Sequence, residues 1–155
     1  MKISVIIPTL NEESHIEKTL QSVTKQDGDY EFSVVDGGST DKTITIAKKY
    51  TTVINSQRGR AIQMNTGAKA CSGDILLFLH ADTILPDNAF CEIRKRMKDD
   101  TLAGGSFYIA FDADTFILRG VSFITRFNFR LFHFGDQGIF VRRSIFQNLN
   151  GYKEM

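Results

Sequence analysis

Apolar and polar positions along this chain switch between two periods, and the switching predicts its elements in order. Ile3 to Ile7 is a β-branched run closed by Pro8-Thr9, a strand leading into a turn. After Asn11 the spacing lengthens. Ile16, Leu20 and Val23 recur at helical intervals, and Glu12 and Glu13 stand in the expected first turn, where the helix dipole favours acids. Phe32 to Val35 predicts a second strand, broken by Asp36-Gly37-Gly38-Ser39-Thr40-Asp41, then a helix to about Tyr50 with Ser39 or Thr40 as its cap. Thr52 to Ile54 is a third short strand. Arg58 to Cys71 reads as loop and helix, with Ala61, Met64 and Ala68 on one face, closed by Ser72-Gly73-Asp74. The apolar run from Ile75 to Leu79 then fits a strand buried on both faces. It stops abruptly at His80-Ala81-Asp82.

This β-α-β-α-β-α-β order specifies an α/β fold with a mostly parallel, Rossmann-type sheet flanked by helices. Pro86 is placed to open another helix, with Phe90, Ile93 and Met97 facing inward. Leu102 to Phe111 alternates, with Phe107, Ile109 and Phe111 on one side, as in an antiparallel strand at a sheet edge. Asp112-Ala113-Asp114 is a turn, Gly138 to Val141 a further strand, and Arg142-Arg143 leads to a short helix capped by Asn150-Gly151. No repeat or linker interrupts the pattern, so residues 1–155 are expected to form a single domain.

Residues 116–134 carry two readings. Arg119, Ser122, Arg126, Arg130 and His133 share one helical face, and apolar residues fill the rest. Such a helix is either a core helix with a solvated basic stripe or an interfacial one contacting lipid phosphates. Its three arginines argue against a spanning segment.

Composition narrows the function classes. Lys and Arg number 19 against 18 Asp and Glu, a net charge of +1, so no bulk basic field exists for nucleic acid. Cys71 and Cys91 fit no metal spacing and read as reduced, buried residues. The chain opens directly on a strand, which leaves no room for a signal peptide, and the expected location is cytoplasmic, with the inner membrane face as a peripheral alternative.

The candidate chemistry sits at strand ends. Strand one ends in Pro8-Thr9 and leads to Glu12, strand two ends in Asp36, and strand four ends in His80 and Asp82. In a parallel sheet these ends share one edge, where open α/β sheets bind ligands. Taken singly, each is also an ordinary turn former or surface acid. A glycine-rich phosphate loop is missing after strand one, which counts against a Walker or dinucleotide site and against a nucleotidyltransferase. A diphosphate can instead be held through a divalent cation, for which Asp82 is the better ligand and His80 a second, tilting preference from Mg2+ toward Mn2+. Asp36 could accept hydrogen bonds from a base edge, and Arg58 or Arg60 could face the phosphates.

The series Val5-Ile6-Ile7-Pro8-Thr9-Leu10-Asn11-Glu12 and Val34-Val35-Asp36-Gly37-Gly38-Ser39-Thr40-Asp41 resembles the start of glycosyltransferase family 2. Arg58-Gly59-Arg60 through Ala68, then Gly73-Asp74 and His80-Ala81-Asp82, continue the likeness in order. Gly135-Asp136-Gln137-Gly138, Arg142-Arg143 and Gly151-Tyr152 extend it over nearly the whole chain. The resemblance implies a GT-A fold, a nucleotide-sugar donor (a UDP-sugar first), an unidentified acceptor hydroxyl and a divalent metal, Mn2+ or Mg2+, with the usual inversion. It places Pro8, Thr9, Glu12, Asp36, Arg58, Arg60 and Ala81 at the nucleotide sugar and Asp82, with His80, at the metal. Two departures stand out. His80 occupies a position where the family usually has an acid, and the Glu-Asp motif that usually supplies the family's general base would fall beyond Met155. A C-terminally incomplete chain is one explanation; Asp136 as the catalytic base is another. The alternatives to an enzyme are a non-catalytic nucleotide-sugar-binding module and a membrane-peripheral scaffold.

Overall fold

The computed structural model describes residues 1–107 and 138–154. Strands β1 (Ile3–Thr9), β2 (Tyr30–Asp36), β3 (Thr52–Asn55), β4 (Ile75–Phe78), β5 (Gly104–Ser106) and β6 (Ile139–Arg142) form one sheet in the order β3-β2-β1-β4-β6-β5. The first four are parallel, and β6 and β5 are antiparallel additions. The expected mostly parallel sheet is thus present, with β5, a three-residue part of the strand expected over Leu102 to Phe111, at its edge.

Helices α1 (Ile16–Thr24), α2 (Thr43–Ala47), α3 (Arg60–Ala70), α4 (Ala89–Arg96) and α5 (Arg143–Asn148) connect the strands. β1 serves both layers. Ile3, Val5 and Ile7 face a core with Ile16, Leu20 and Val23 of α1 and with Phe90, Ile93 and Met97, whereas Ile6 faces Met64 and Ala68 of α3. Helices therefore cover both faces of the sheet, and β4 is buried along its whole length. Gly67 lets α3 lie directly on the sheet, since a Cβ there would stand 2.4 Å from Ile6 Cγ2 and 2.9 Å from Val35 Cγ2.

Several local expectations are corrected. α1 begins at Ile16, so Glu12 and Glu13 lie in the turn before it, where Asn11 takes a positive φ of 55°. Neither Ser39 nor Thr40 caps α2. Its N-cap residue is Lys42, with no side-chain cap, and Asp41 makes a turn just ahead, its Oδ1 accepting the Thr43 N–H at 2.9 Å. Pro86 does not open α4 but precedes it by a turn, its carbonyl accepting the Ala89 N–H. Cys91 is exposed and Cys71 half-buried; both are free. Asn150-Gly151 ends α5 as expected, with φ of 59° and 74° and the Gly151 N–H donating to the Phe146 carbonyl at 3.0 Å. Ile109, Phe111, residues 116–134, for which a helix is expected, and Asp136 lie outside the described residues. No described helix is long and apolar enough to cross a membrane.

At the edge where β1 starts, Glu31 of β2 accepts from Lys2 Nζ at 2.7 Å, Ser4 Oγ at 2.7 Å and the Ser72 N–H at 2.6 Å. Partial burial opposes its charge, but these hydrogen bonds outweigh that and bring its pKa down to about 2. A carboxylate whose pKa falls on folding adds stability above its unfolded pKa and loses it as pH drops through the folded value. Glu31→Gln is therefore expected to lower the urea midpoint by about 0.3 M at pH 7. The gap between the two proteins should close as pH falls from 4.5 toward about 2. A gap that ignores pH would assign the effect to something other than the charge.

Candidate functional site

The strand order changes direction between β1 and β4, because β2 and β3 lie to one side and β4, β6 and β5 to the other. Open α/β sheets form a ligand crevice at such a point. Here the sequence supplies a reason for the opening. The register of β1 with β4 ends at Ile6↔Phe78, and the Ile6 carbonyl still accepts the Leu79 N–H at 3.0 Å. Two residues on, the next β1 position facing β4 is Pro8, which has no N–H to donate. On the other side β1 stays in register with β2 as far as Thr9↔Asp36.

Asp36 is almost wholly buried, at 2 % exposure. Its Oδ2 accepts the N–H groups of Gly38 at 2.8 Å and Ser39 at 2.9 Å, and Ser39 Oγ donates to Oδ1. Thr9 Oγ1 stands 3.4 Å from the same Oδ1. Gly38 takes φ +98°, a conformation that favours glycine, to turn its N–H onto the carboxylate. Beyond the register pair, the Gly37 N–H donates to the Thr9 carbonyl at 3.0 Å and the Ser56 N–H to the Asp36 carbonyl at 2.8 Å. The loop that carries Arg58 and leads to Arg60 at the start of α3 is thereby tied to Asp36, and both arginines are exposed.

The loops after β1 and β2 are joined by exchanged hydrogen bonds. The Asn11 N–H donates to Ser39 Oγ at 2.9 Å, and Asn11 Oδ1 accepts the Thr40 N–H at 2.8 Å. The Glu12 N–H donates to Thr43 Oγ1 at 2.7 Å, and the Glu13 N–H to Asp41 Oδ2 at 3.1 Å. Glu13 Oε2 in turn accepts the Lys42 N–H at 3.0 Å. Desolvation would raise the Asp41 pKa, but the bonds from Thr43 and Glu13 hold it below the ordinary carboxylate range. Glu12 keeps its carboxylate half-exposed, with Oε2 3.6 Å from His15 Nδ1.

Across the opening, Ala81 is buried and its carbonyl accepts Thr19 Oγ1 at 2.7 Å. That anchor leaves its neighbours outward, His80 half-buried and Asp82 exposed, with Thr83 Oγ1 3.5 Å from Asp82 Oδ1. Among the described residues no group of three or more His, Cys, Asp or Glu could hold a metal ion. One carboxylate with one imidazole still suits Mg2+ or Mn2+, which take one or two protein ligands and complete their shell with substrate phosphates and water. β6 begins at this edge, with Ile139 opposite Phe78.

The structure thus brings Pro8, Thr9, Glu12 and Asp36 to one side of the crevice and His80, Ala81 and Asp82 to the other. A cavity of about 500 Å³ between α3, α5 and residues 150–154 includes none of them; Asn65, Lys69, Arg143 and Tyr152 are among its walls. Sequence reading missed the loop junction and, above all, Gln63, whose Nε2 lies 2.8 Å from both the Thr9 and the Val35 carbonyl oxygens. A signal existed: Gln63 precedes Gly67 by four residues, on the stripe of α3 nearest the sheet.

The sequence pattern described as Glycosyl transferase family 2 matches residues 4–148. The glycosyltransferase AglE of Haloferax volcanii is 41 % identical over 52 % of this chain and 30 % of its own length. A PGL/p-HBAD biosynthesis glycosyltransferase of Mycobacterium tuberculosis is 31 % identical over 96 % of this chain and 62 % of its own length. The chain thus spans less than two thirds of either curated relative. Among solved structures, the mannosyltransferase PcManGT from Pyrobaculum calidifontis, in complex with GDP-Man and Mn2+, superposes with a TM-score of 0.78 and 25 % identity. That likeness covers 97 % of this chain and 47 % of the other. The fold is GT-A.

The loop junction makes a prediction of its own. Thr43→Val keeps the shape of a fully buried side chain but leaves the Glu12 N–H without its acceptor. A loss of about 1–3 kcal/mol in chemical denaturation is expected; wild-type stability would mean the junction contributes nothing to the fold.

Proposed function

The chain belongs to glycosyl transferase family 2, and we propose that residues 1–155 act as one domain that binds a nucleoside-diphosphate sugar and transfers the sugar, with divalent-metal assistance, to an acceptor hydroxyl. The observation that carries this reading is the pairing of two unlike environments across the β1–β4 opening. Thr9 and Asp36 offer a buried, hydrogen-bonded wall suited to a nucleoside. Asp82, exposed, and the half-buried His80 two residues before it offer donor types suited to a metal diphosphate. The complex of the Pyrobaculum mannosyltransferase with GDP-Man and Mn2+ supports the same chemistry for this chain.

In the reaction, the acceptor oxygen forms a bond to the anomeric carbon and the bond from that carbon to the diphosphate breaks. The nucleoside diphosphate leaves with the bonding pair, and the acceptor proton passes to a base, for which Asp136 is the proposed residue. Asp82 would hold the metal, with His80 beside it. When bound, the metal supplies positive charge to the leaving diphosphate. Thr9, Glu12 and Asp36 orient the nucleoside, with Asp36 facing the base edge; Pro8 and Ala81 shape the walls, and Arg58 and Arg60 add charge near the phosphates.

Calorimetric titration with UDP and GDP, with and without Mn2+, tests the reading directly. Asp82→Ala should lower metal-dependent affinity by about tenfold or more, since loss of a group that merely supports a metal ligand already costs that much. Asp36→Asn should weaken nucleotide binding about tenfold with or without metal, as one charge-assisted hydrogen bond implies. Unchanged affinity in either variant removes that residue from the site. Binding of a donor sugar with neither transfer nor hydrolysis would make the chain a nucleotide-sugar-binding module instead of an enzyme.

A further inference from the structure

We propose that Gln63 is a positioning residue for the nucleoside end of this pocket, setting the relation of Thr9 to Asp36 from beneath; the inference rests on the donor-site reading above. Gln63 lies near the start of α3 and is 4 % exposed. Its Nε2 stands 2.8 Å from the Thr9 carbonyl and 2.8 Å from the Val35 carbonyl, which belong to neighbouring strands. A primary amide has two hydrogens and can give one to each. The bridge falls on the last rung of the β1–β2 ladder, where Thr9↔Asp36 ends the register.

Two glycines make room for it. A Cβ on Gly37 would come within 3.1 Å of Cδ, Nε2 and Oε1 of Gln63, so the amide lies flat against the backbone that leads from Asp36 to the Gly38 and Ser39 donors. Gly67 lets α3 approach closely enough for the amide to reach the strand ends. Few other side chains could take the position. Glutamate would aim an anion at two carbonyl oxygens, lysine would bury a charge, and asparagine is a methylene too short. Gln63 touches neither Oγ1 of Thr9 nor the carboxylate of Asp36 in any hydrogen bond described. It acts on both through their backbone.

The molecule supplies a control. Gln26 is a second buried glutamine, 5 % exposed, whose Nε2 donates to the Ser22 and Pro86 carbonyls and whose Oε1 accepts the Phe90 N–H. It has comparable bonding but contacts none of the strand-end residues. Titrations of UDP and GDP, with and without Mn2+, should be run on wild type, Gln63→Met, Gln63→Glu and Gln26→Met. Gln63→Met is expected to bind about tenfold more weakly in both conditions, whereas Gln26→Met loses thermal stability and keeps wild-type affinity. Relative to wild type, the affinity of Gln63→Glu should rise as pH falls from about 8 to about 5, because the protonated carboxyl regains one donor. Gln63→Met should show no such trend. Wild-type affinity in a folded Gln63→Met, a pH-independent Gln63→Glu, or equal losses in the Gln63 and Gln26 variants would each overturn the inference alone. A wild-type protein that binds neither nucleotide would overturn the donor-site reading and this inference with it.

Discussion

The crevice depends on one missing hydrogen-bond donor. A parallel sheet in which β1 paired fully with both neighbours would be closed at its centre, and the strand ends would meet edge to edge. Pro8 prevents this, because its nitrogen faces β4 at the first position past the Ile6–Leu79 bond. Pairing with β2 does not suffer, since Thr9 turns its backbone the other way, toward Gly37. A single residue thus separates the sheet on one side of β1 and leaves it intact on the other. The asymmetry gives the crevice a rigid wall, β1–β2, and a looser one beyond β4.

The rigid wall is maintained by polar groups that have no freedom left. Asp36, Ser39, Asn11 and Thr40 form a continuous chain of hydrogen bonds from the end of β2 to the loop after β1. Among the described residues, no buried side-chain nitrogen or oxygen lacks a partner. The chain is stiffest at Asp36, its buried end, where any displacement leaves a carboxylate unpaired in a medium of low dielectric, whereas Asn11 and Thr40 at the other end are exposed. The Asn11 φ of 55° fits this account: asparagine tolerates the left-handed region, and its side chain is used at once by the neighbouring loop.

Much of the fold was legible in the sequence because burial imposes a period. Strand β1 read as a β-branched run and β4 as a continuous apolar one, since both faces of β4 are covered, and α1 and α4 showed their inward stripes at Ile16, Leu20, Val23, Phe90 and Ile93. What failed were features decided by one hydrogen bond. Ser39 and Thr40 have the chemistry of helix caps, but their groups are taken by Asp36 and Asn11, and α2 starts after Lys42 with no side-chain cap. Cys91 sits on the outer side of α4, a placement its identity as a small apolar residue did not convey. In the candidate site the strand-end residues were legible because topology alone brings them to one edge. Gln63 was not, because a polar residue on a helix is ordinarily assigned to solvent, and only the close approach at Gly67 turns it inward.

The two halves of the crevice therefore differ in kind as well as in residue type. On the β1–β2 side, a ligand meets donors and acceptors whose positions are fixed before it arrives, so little ordering entropy is lost on binding. On the β4 side, Ala81 is pinned through Thr19 while Asp82 is exposed, and its nearest described hydroxyl is 3.5 Å away. A carboxylate so placed keeps most of its hydration and can exchange water for a stronger ligand at small cost. Preorganisation where shape must be recognised, and solvent access where charge must be collected, are the two requirements of a site that reads a nucleoside and holds its diphosphate. Pro8, by parting the strands, lets one sheet present both environments to the donor proposed for it.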